Sequence, residues 1–273
     1  MNKSIFTTTL LAISVAIVMI HGMRTWLIPA KKTEIVQEIQ APVAVKGNEV
    51  EAATIPDFAS ILDVKAKKKA FFDYLRPAIV QQNAVISQDR QAVLELKQQL
   101  DEGNALNETS TELLNEIAAK YRFTFQEYTE VSVQKLLRRV DVIPENMVLI
   151  QAANESGWGN SRFAREGFNF FGQWCFSAGC GLVPKSRTPG LNHEVAKFSS
   201  MDASVTSYMR NLNTNAAYHT FRTLRENIRL KGEQPKASDL VYGLMNYSER
   251  KGDYIDELLL MLEHNQSLLV NVG

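Results

Sequence analysis

Apolar residues recur every three or four positions along much of this chain. Phe71, Phe72, Leu75 and Ile79 form one helical stripe, and Val93, Leu96 and Leu100 continue it. Pro77 falls within that segment and is expected to kink or divide it, because proline removes a helical N–H and crowds the preceding turn. Leu113, Leu114 and Ile117 predict a second helix that ends before the aromatic stretch Tyr121–Tyr128. Val133, Leu136, Leu137 and Val140 predict a third over Glu130–Val140. After Phe221 the spacing returns with Leu240, Leu244 and Met245, then Ile255, Leu258, Leu259 and Leu262, helices expected to close the back of the fold. Core packing accounts for these stripes, and neither repeats nor low-complexity tracts accompany them.

One helix ends on different chemistry. Pro144 suits a first helical turn, where its missing N–H is not needed. Val148, Ala152 and Glu155 then fall on roughly one face, and Gly157 is suited to a left-handed stop. Glu155 therefore lies in the last turn, near the negative end of the helix dipole and among apolar neighbours. Both surroundings disfavour a carboxylate and raise its pKa. A carboxyl kept protonated near neutral pH can donate to a leaving glycosidic oxygen. The plain alternative is an exposed helix-end glutamate, which the following Ser156-Gly157-Trp158-Gly159 argues against.

The N-terminus has another character. Lys3 precedes the apolar run Ile5–Ile20, followed by His21, Gly22 and Arg24. A charged start and an apolar centre read as an export signal or an uncleaved anchor over residues 1–28. A spanning helix needs about 20 residues, which Met23, Trp26, Leu27 and Ile28 would supply, and a small-residue cleavage site is missing. Residues 29–63, with Pro29, Pro42, Pro56 and scattered charges, read as a flexible linker. A helical segment is expected over 64–129 and a catalytic domain over 130–268.

Composition adds only limits. An apolar share of 45% and a charged share of 22% are those of a globular protein. Thirty basic residues balance thirty acidic ones, so no basic field exists to hold nucleic acid.

Glu155-Ser156-Gly157-Trp158-Gly159 with Ser161, followed by Asn169-Phe170-Phe171-Gly172, resembles the signature of glycoside hydrolase family 73, the bacterial cell-wall N-acetylglucosaminidases (the mannosyl-glycoprotein endo-β-N-acetylglucosaminidase-like domain). The resemblance covers roughly residues 130–265. It implies a mainly α, α+β lysozyme-like fold: a helical domain around a catalytic cleft, with a small β-hairpin on one wall. It implies Glu155 as general acid, and Asn169, Phe171 and Gly172 as the segment shaping the cleft floor. Tyr218, in Asn215-Ala216-Ala217-Tyr218, matches a tyrosine near the active site, although Ala-Ala stands where the family has Pro-Arg. Trp158 and Trp174 offer flat faces for sugar rings, with packing beneath the helix end as the alternative for Trp158.

The family often carries a second carboxylate within Thr-Glu-Tyr, which is missing here. Between Gly181 and Phe198 the only carboxylate is Glu194, the candidate base or nucleophile; Glu166 and Asp202 are weaker candidates. Without a protein base, a substrate acetamido group, a loosely held water or intramolecular attack would complete the reaction. Cys175 and Cys180 are expected to form a disulfide in an exported protein, holding the loop beside Trp174. Zinc bound with His193 and His219 is a poor alternative, because paired ligand spacings are absent. Ser156 lacks the Gly-x-Ser-x-Gly elbow of a serine hydrolase.

The chain is thus expected to be an endo-β-N-acetylglucosaminidase of peptidoglycan glycan strands, using no metal or cofactor. Lytic transglycosylase or muramidase cleavage at the same site is one alternative, and a catalytically silent peptidoglycan-binding scaffold another. The expected location is periplasmic, tethered to the inner membrane, with protein partners unspecified.

Overall fold

The computed structural model describes residues 54–270, apart from 186, 188, 189 and 191. The expected anchor over 1–28 and the linker up to residue 53 lie outside the described residues. Among the described residues no helix is long and apolar enough to cross a membrane.

The first element after a single 3₁₀ turn at Phe58–Ser60 is the long helix α1 (Val64–Asp101). Asp63 caps it by accepting from the Ala66 N–H. Of the two outcomes expected at Pro77, a kink or a division, the second does not occur: the proline lies inside a continuous helix. The lost hydrogen bond and ring crowding cost about 3 kcal/mol. Full burial of Leu75, Ala78 and Ile79 around the proline offsets that cost.

This one helix serves two cores. Its first half packs Phe71, Phe72, Leu75 and Ile79 into the principal core. Its second half buries Val93 and Leu96 in a smaller core with α2 (Glu108–Lys120) and α3 (Glu130–Leu137). The principal core therefore spans the expected boundary at residue 130. Phe58, placed in the linker by sequence, is also buried in that core, 5.4 Å from the Phe71 ring.

Helix α4 (Glu145–Ser156) occupies the centre. Met147, Val148, Leu149, Ile150, Ala152 and Ala153 are all buried, so apolar residues face every side. The loop entering it is clamped by charge. Arg229 donates two hydrogen bonds to the Asp141 carboxylate, at 3.0 and 2.9 Å. Arg225, fully buried, donates to the backbone carbonyls of Arg138, Asp141 and Val142.

After α5 (Arg162–Gly167) comes a three-stranded antiparallel sheet: β1 (Trp174–Cys175), β2 (Gly181–Leu182) and β3 (Glu194–Ala196), in the order β1-β3-β2. Trp174 pairs with Val195, and Gly181 with Ala196. A Cβ on Gly181 would lie 2.0 Å from the Val195 carbonyl oxygen, so the close approach of these strands requires glycine. Helices α6 (Met201–Thr214), α7 (His219–Leu230), α8 (Ala237–Leu240), α9 (Gly252–His264) and α10 (Gln266–Leu269) complete a mainly helical, lysozyme-like architecture with a small sheet.

Candidate active site

The end of α4 sets the site. Ser156 donates to the Ala152 carbonyl at 2.6 Å and accepts from the Gly159 N–H at 2.8 Å. The buried hydroxyl thus folds the chain back on itself, which is its local role. Gly157, Trp158 and Gly159 follow with φ of +58°, +59° and +77°. A Cβ on Gly159 would come within 2.5 Å of the Phe58 ring, so glycine serves both the left-handed backbone and this close packing. Trp158 pays the left-handed cost by packing its indole 5.8 Å from Phe71 and 5.3 Å from Phe72, with Lys68 Nζ 4.9 Å from the ring. Those contacts favour the packing alternative for Trp158, whose half-buried ring lies against α1.

Glu155 sits where α4 stops. Its Oε1 accepts a 2.8 Å hydrogen bond from the Tyr254 hydroxyl of α9. The Tyr254 oxygen accepts from Gln151 Nε2 at 2.9 Å, and the Tyr208 hydroxyl donates to Gln151 Oε1. Tyr247 stacks on Tyr254 with ring centroids 5.7 Å apart and donates to the Phe171 carbonyl at 2.6 Å. Phe171 stacks on Tyr208 at 3.9 Å. Gly172 follows at φ +62°, and a Cβ there would lie 3.7 Å from Glu155 Oε2.

Burial pushes the Glu155 carboxyl up to about 7. The Tyr254 hydrogen bond and the charge of Arg250 oppose the shift, while Glu257 adds to it. Arg250 is itself paired with Glu257, so the nearby cation is partly neutralised. Tyr208, Tyr247 and Tyr254 are raised well above the ordinary phenol value by burial and remain donors at neutral pH. A carboxyl of this kind can deliver a proton near pH 7.

Asn169 shapes the segment beside it. Its side-chain amide donates to the Gln173 and Ala196 carbonyls, both at 2.8 Å, and its oxygen accepts from the Phe171 and Gln173 N–H groups. The Asn169–Gly172 loop is thereby tied to β3 on one side and faces Glu155 on the other. Tyr218 is fully buried against Tyr247, with ring centroids 6.2 Å apart, and supports the tyrosine group.

Glu194 has a different setting. Its two oxygens accept from the Gly179 and Gly181 N–H groups at 3.0 and 2.8 Å. These bonds hold its carboxyl below the usual range. The charged groups that shift Glu155 are Arg250 and Glu257, and Glu194 is not among them. The structure thus ties Glu194 to the β1–β2 turn, where Cys175 and Cys180 are joined in the expected disulfide, with Cα atoms 6.2 Å apart. The two sulfurs and a Glu194 oxygen lie within 4.8 Å of one another, but a disulfide offers no thiolate to a metal. Trp174 stays exposed at 41%, stacked on His193 at 4.2 Å. Glu166 pairs with Arg162 at 3.3 Å on the surface, and Asp202 is exposed at the start of α6. His219 lies apart from His193, with Thr223 at 3.5 Å.

Sequence reasoning missed Gln151, Tyr208, Tyr247 and Tyr254. Gln151 was legible, being the one polar residue within the apolar run Met147–Ala153, one turn before Glu155. The tyrosines gave no such signal, since their meeting depends on how α9 packs against α4 and α6 against α1.

The family model of mannosyl-glycoprotein endo-beta-N-acetylglucosaminidase matches residues 130–266. Protein bax of Escherichia coli (strain K12) is 32% identical over 223 residues, covering 81% of this chain and 78% of that protein. No solved structure matches. The chain belongs to the glucosaminidase family and is a glycosidase.

Proposed function

We propose that this glycosidase cleaves the glycan strands of peptidoglycan as an endo-β-N-acetylglucosaminidase, with Glu155 as general acid. The observation that carries the reading is the half-buried Glu155 carboxyl at the end of α4, raised to about 7 beside the open Gly172 backbone. Protonated Glu155 gives its proton to the glycosidic oxygen as the bond from that oxygen to the anomeric carbon breaks; water then bonds to the anomeric carbon and releases a proton, which restores the Glu155 acid. The exposed indole of Trp174 offers a stacking face for a sugar ring, and Asn169, Phe171 and Gly172 form the floor beneath the acid. We also infer export to the periplasm and tethering at the inner membrane, from the apolar run Ile5–Ile20 behind Lys3.

A second reading rests on Glu194. With both oxygens accepting backbone N–H groups, it is a weakened base. The anomeric carbon is then attacked by an acetamido oxygen or a hydroxyl of the substrate itself, and the latter yields an anhydro sugar, as in a lytic transglycosylase.

Mass spectrometry of peptidoglycan digested by wild type and Glu155→Gln tests both readings. Reducing N-acetylglucosamine ends that vanish with the variant support the glucosaminidase. Anhydro-muramic ends move the reaction to transglycosylation, and reducing muramic ends to a muramidase. Binding to the wall without products from either protein leaves a scaffold.

A further inference from the structure

Glu155 has two oxygens, and general acid catalysis needs the proton on the one that meets the substrate. We propose that Gln151 and Tyr208 are positioning residues that keep the Glu155 proton on Oε2, the oxygen beside Gly172. The inference rests on the proposed role of Glu155 as acid, but its first consequence can be read without turnover.

The argument follows the direction of each hydrogen bond. The Tyr208 hydroxyl donates to Gln151 Oε1. A carboxamide has one accepting end and one donating end, so fixing the first fixes the second. Gln151 Nε2 therefore points at the Tyr254 oxygen and donates to it at 2.9 Å. A phenol that accepts there turns its own hydrogen elsewhere, and the Tyr254 hydrogen goes to Glu155 Oε1 at 2.8 Å. Oε1 is thereby an acceptor. A proton on Oε1 would face the Tyr254 hydrogen, so the acid proton belongs on Oε2. Gly172, whose Cβ position would lie 3.7 Å from that oxygen, leaves this side free of a side chain.

Reversing the Gln151 amide reverses the chain. The Tyr254 hydrogen would turn to the amide oxygen, and Glu155 would place its proton on Oε1, pointing into the protein. Gln151 is fully buried, as is Tyr208, so water does not substitute for either partner. The groups that also act on Glu155 are Tyr208 of α6, Tyr247 and Arg250 of the loop before α9, and Tyr254 and Glu257 of α9. Substituting Tyr208 by Phe or Gln151 by Met leaves the charges of Arg250 and Glu257 in place.

The test is infrared spectroscopy of the full chain below pH 6, with the Glu155 carbonyl stretch assigned by subtraction of Glu155→Gln. A carbonyl oxygen that accepts from Tyr254 absorbs at lower frequency than one that does not. Tyr208→Phe and Gln151→Met are each expected to move the stretch upward, toward its position in Tyr254→Phe. In turnover, both lower kcat about tenfold with little change in KM, and move the basic limb of the pH profile upward. A merely structural role lowers the melting temperature and moves neither stretch nor limb. If one variant fails to fold, the other carries the measurement. An unchanged stretch and limb in a folded variant overturn the proposal. A shifted stretch in a protein that cuts no glycan removes the proposed function and leaves the proton placement standing.

Discussion

Two acids in this protein, the buried Asp141 and the half-buried Glu155, are handled in opposite ways. Asp141, 3% exposed, is held by Arg229 through two hydrogen bonds, with Arg225 Nε at 3.6 Å and Arg90 Nη1 at 3.7 Å. Glu155 accepts one phenol hydrogen, and the nearby Arg250 is paired with Glu257. A buried carboxyl surrounded by guanidinium groups is a clamp that holds the chain in place. A buried carboxyl given neutral donors keeps its proton into the neutral range and can hand it over. Both are withdrawn from open solvent, Asp141 fully and Glu155 in part, and the partners decide which one can do chemistry.

That contrast can be broken by exchanging charge for a neutral group at each position. Glu155→Gln removes the proton donor, and glycan cleavage is expected to fall about 10³-fold, read by release of soluble fragments. Asp141→Asn leaves three guanidinium groups around a neutral amide and is expected to cost about 3–5 kcal/mol, measured by denaturant unfolding, with the activity of the remaining folded protein retained.

The same contrast has a pH signature. The folded-state value for Glu155 lies near 7, above its unaltered 4.5, so the folded protein keeps a proton that the unfolded chain has released. Stability therefore falls as pH rises from about 4.5 to 7, by on the order of 2 kcal/mol. Glu155→Gln removes that loss, so its melting temperature exceeds that of wild type at pH 8 and matches it near pH 4. An equal difference at both values would contradict the raised carboxyl.

Finer changes sharpen the comparison. Tyr254→Phe deletes the hydrogen bond that lowers the Glu155 pKa, and the basic limb of activity moves upward by roughly half a unit. Glu194→Gln keeps one acceptor for the Gly179 and Gly181 N–H groups, and only a few-fold loss of cleavage is expected, since its carboxylate holds a turn. A loss as large as that of Glu155→Gln would make Glu194 the second catalytic group after all.

The legible parts of the molecule were those whose cause is local. The left-handed turn at Gly157 and the Cys175–Cys180 pairing follow from residue types a few positions apart. Pro77 does not divide its helix because a local penalty of about 3 kcal/mol is set against burial in a core built from distant segments. Trp158 shows the same limit: the motif marks the residue, while Phe71 and Phe72, far away in the chain, decide that its ring packs inward.

By itself, the sequence determined the helical class, the family and the placement of one carboxyl at the end of an apolar helix. Periodicity, capping and short motifs are properties of neighbouring residues. Tertiary structure alone decided what surrounds that carboxyl. Tyr254 lies 99 positions from Glu155 and Tyr208 lies 57 from Gln151, and both reach the site only because α9 packs against α4 and α6 packs along α1 in one shared core. A pKa is set by burial and by the groups within a few ångströms, so the chemistry of Glu155 exists only once those helices have packed.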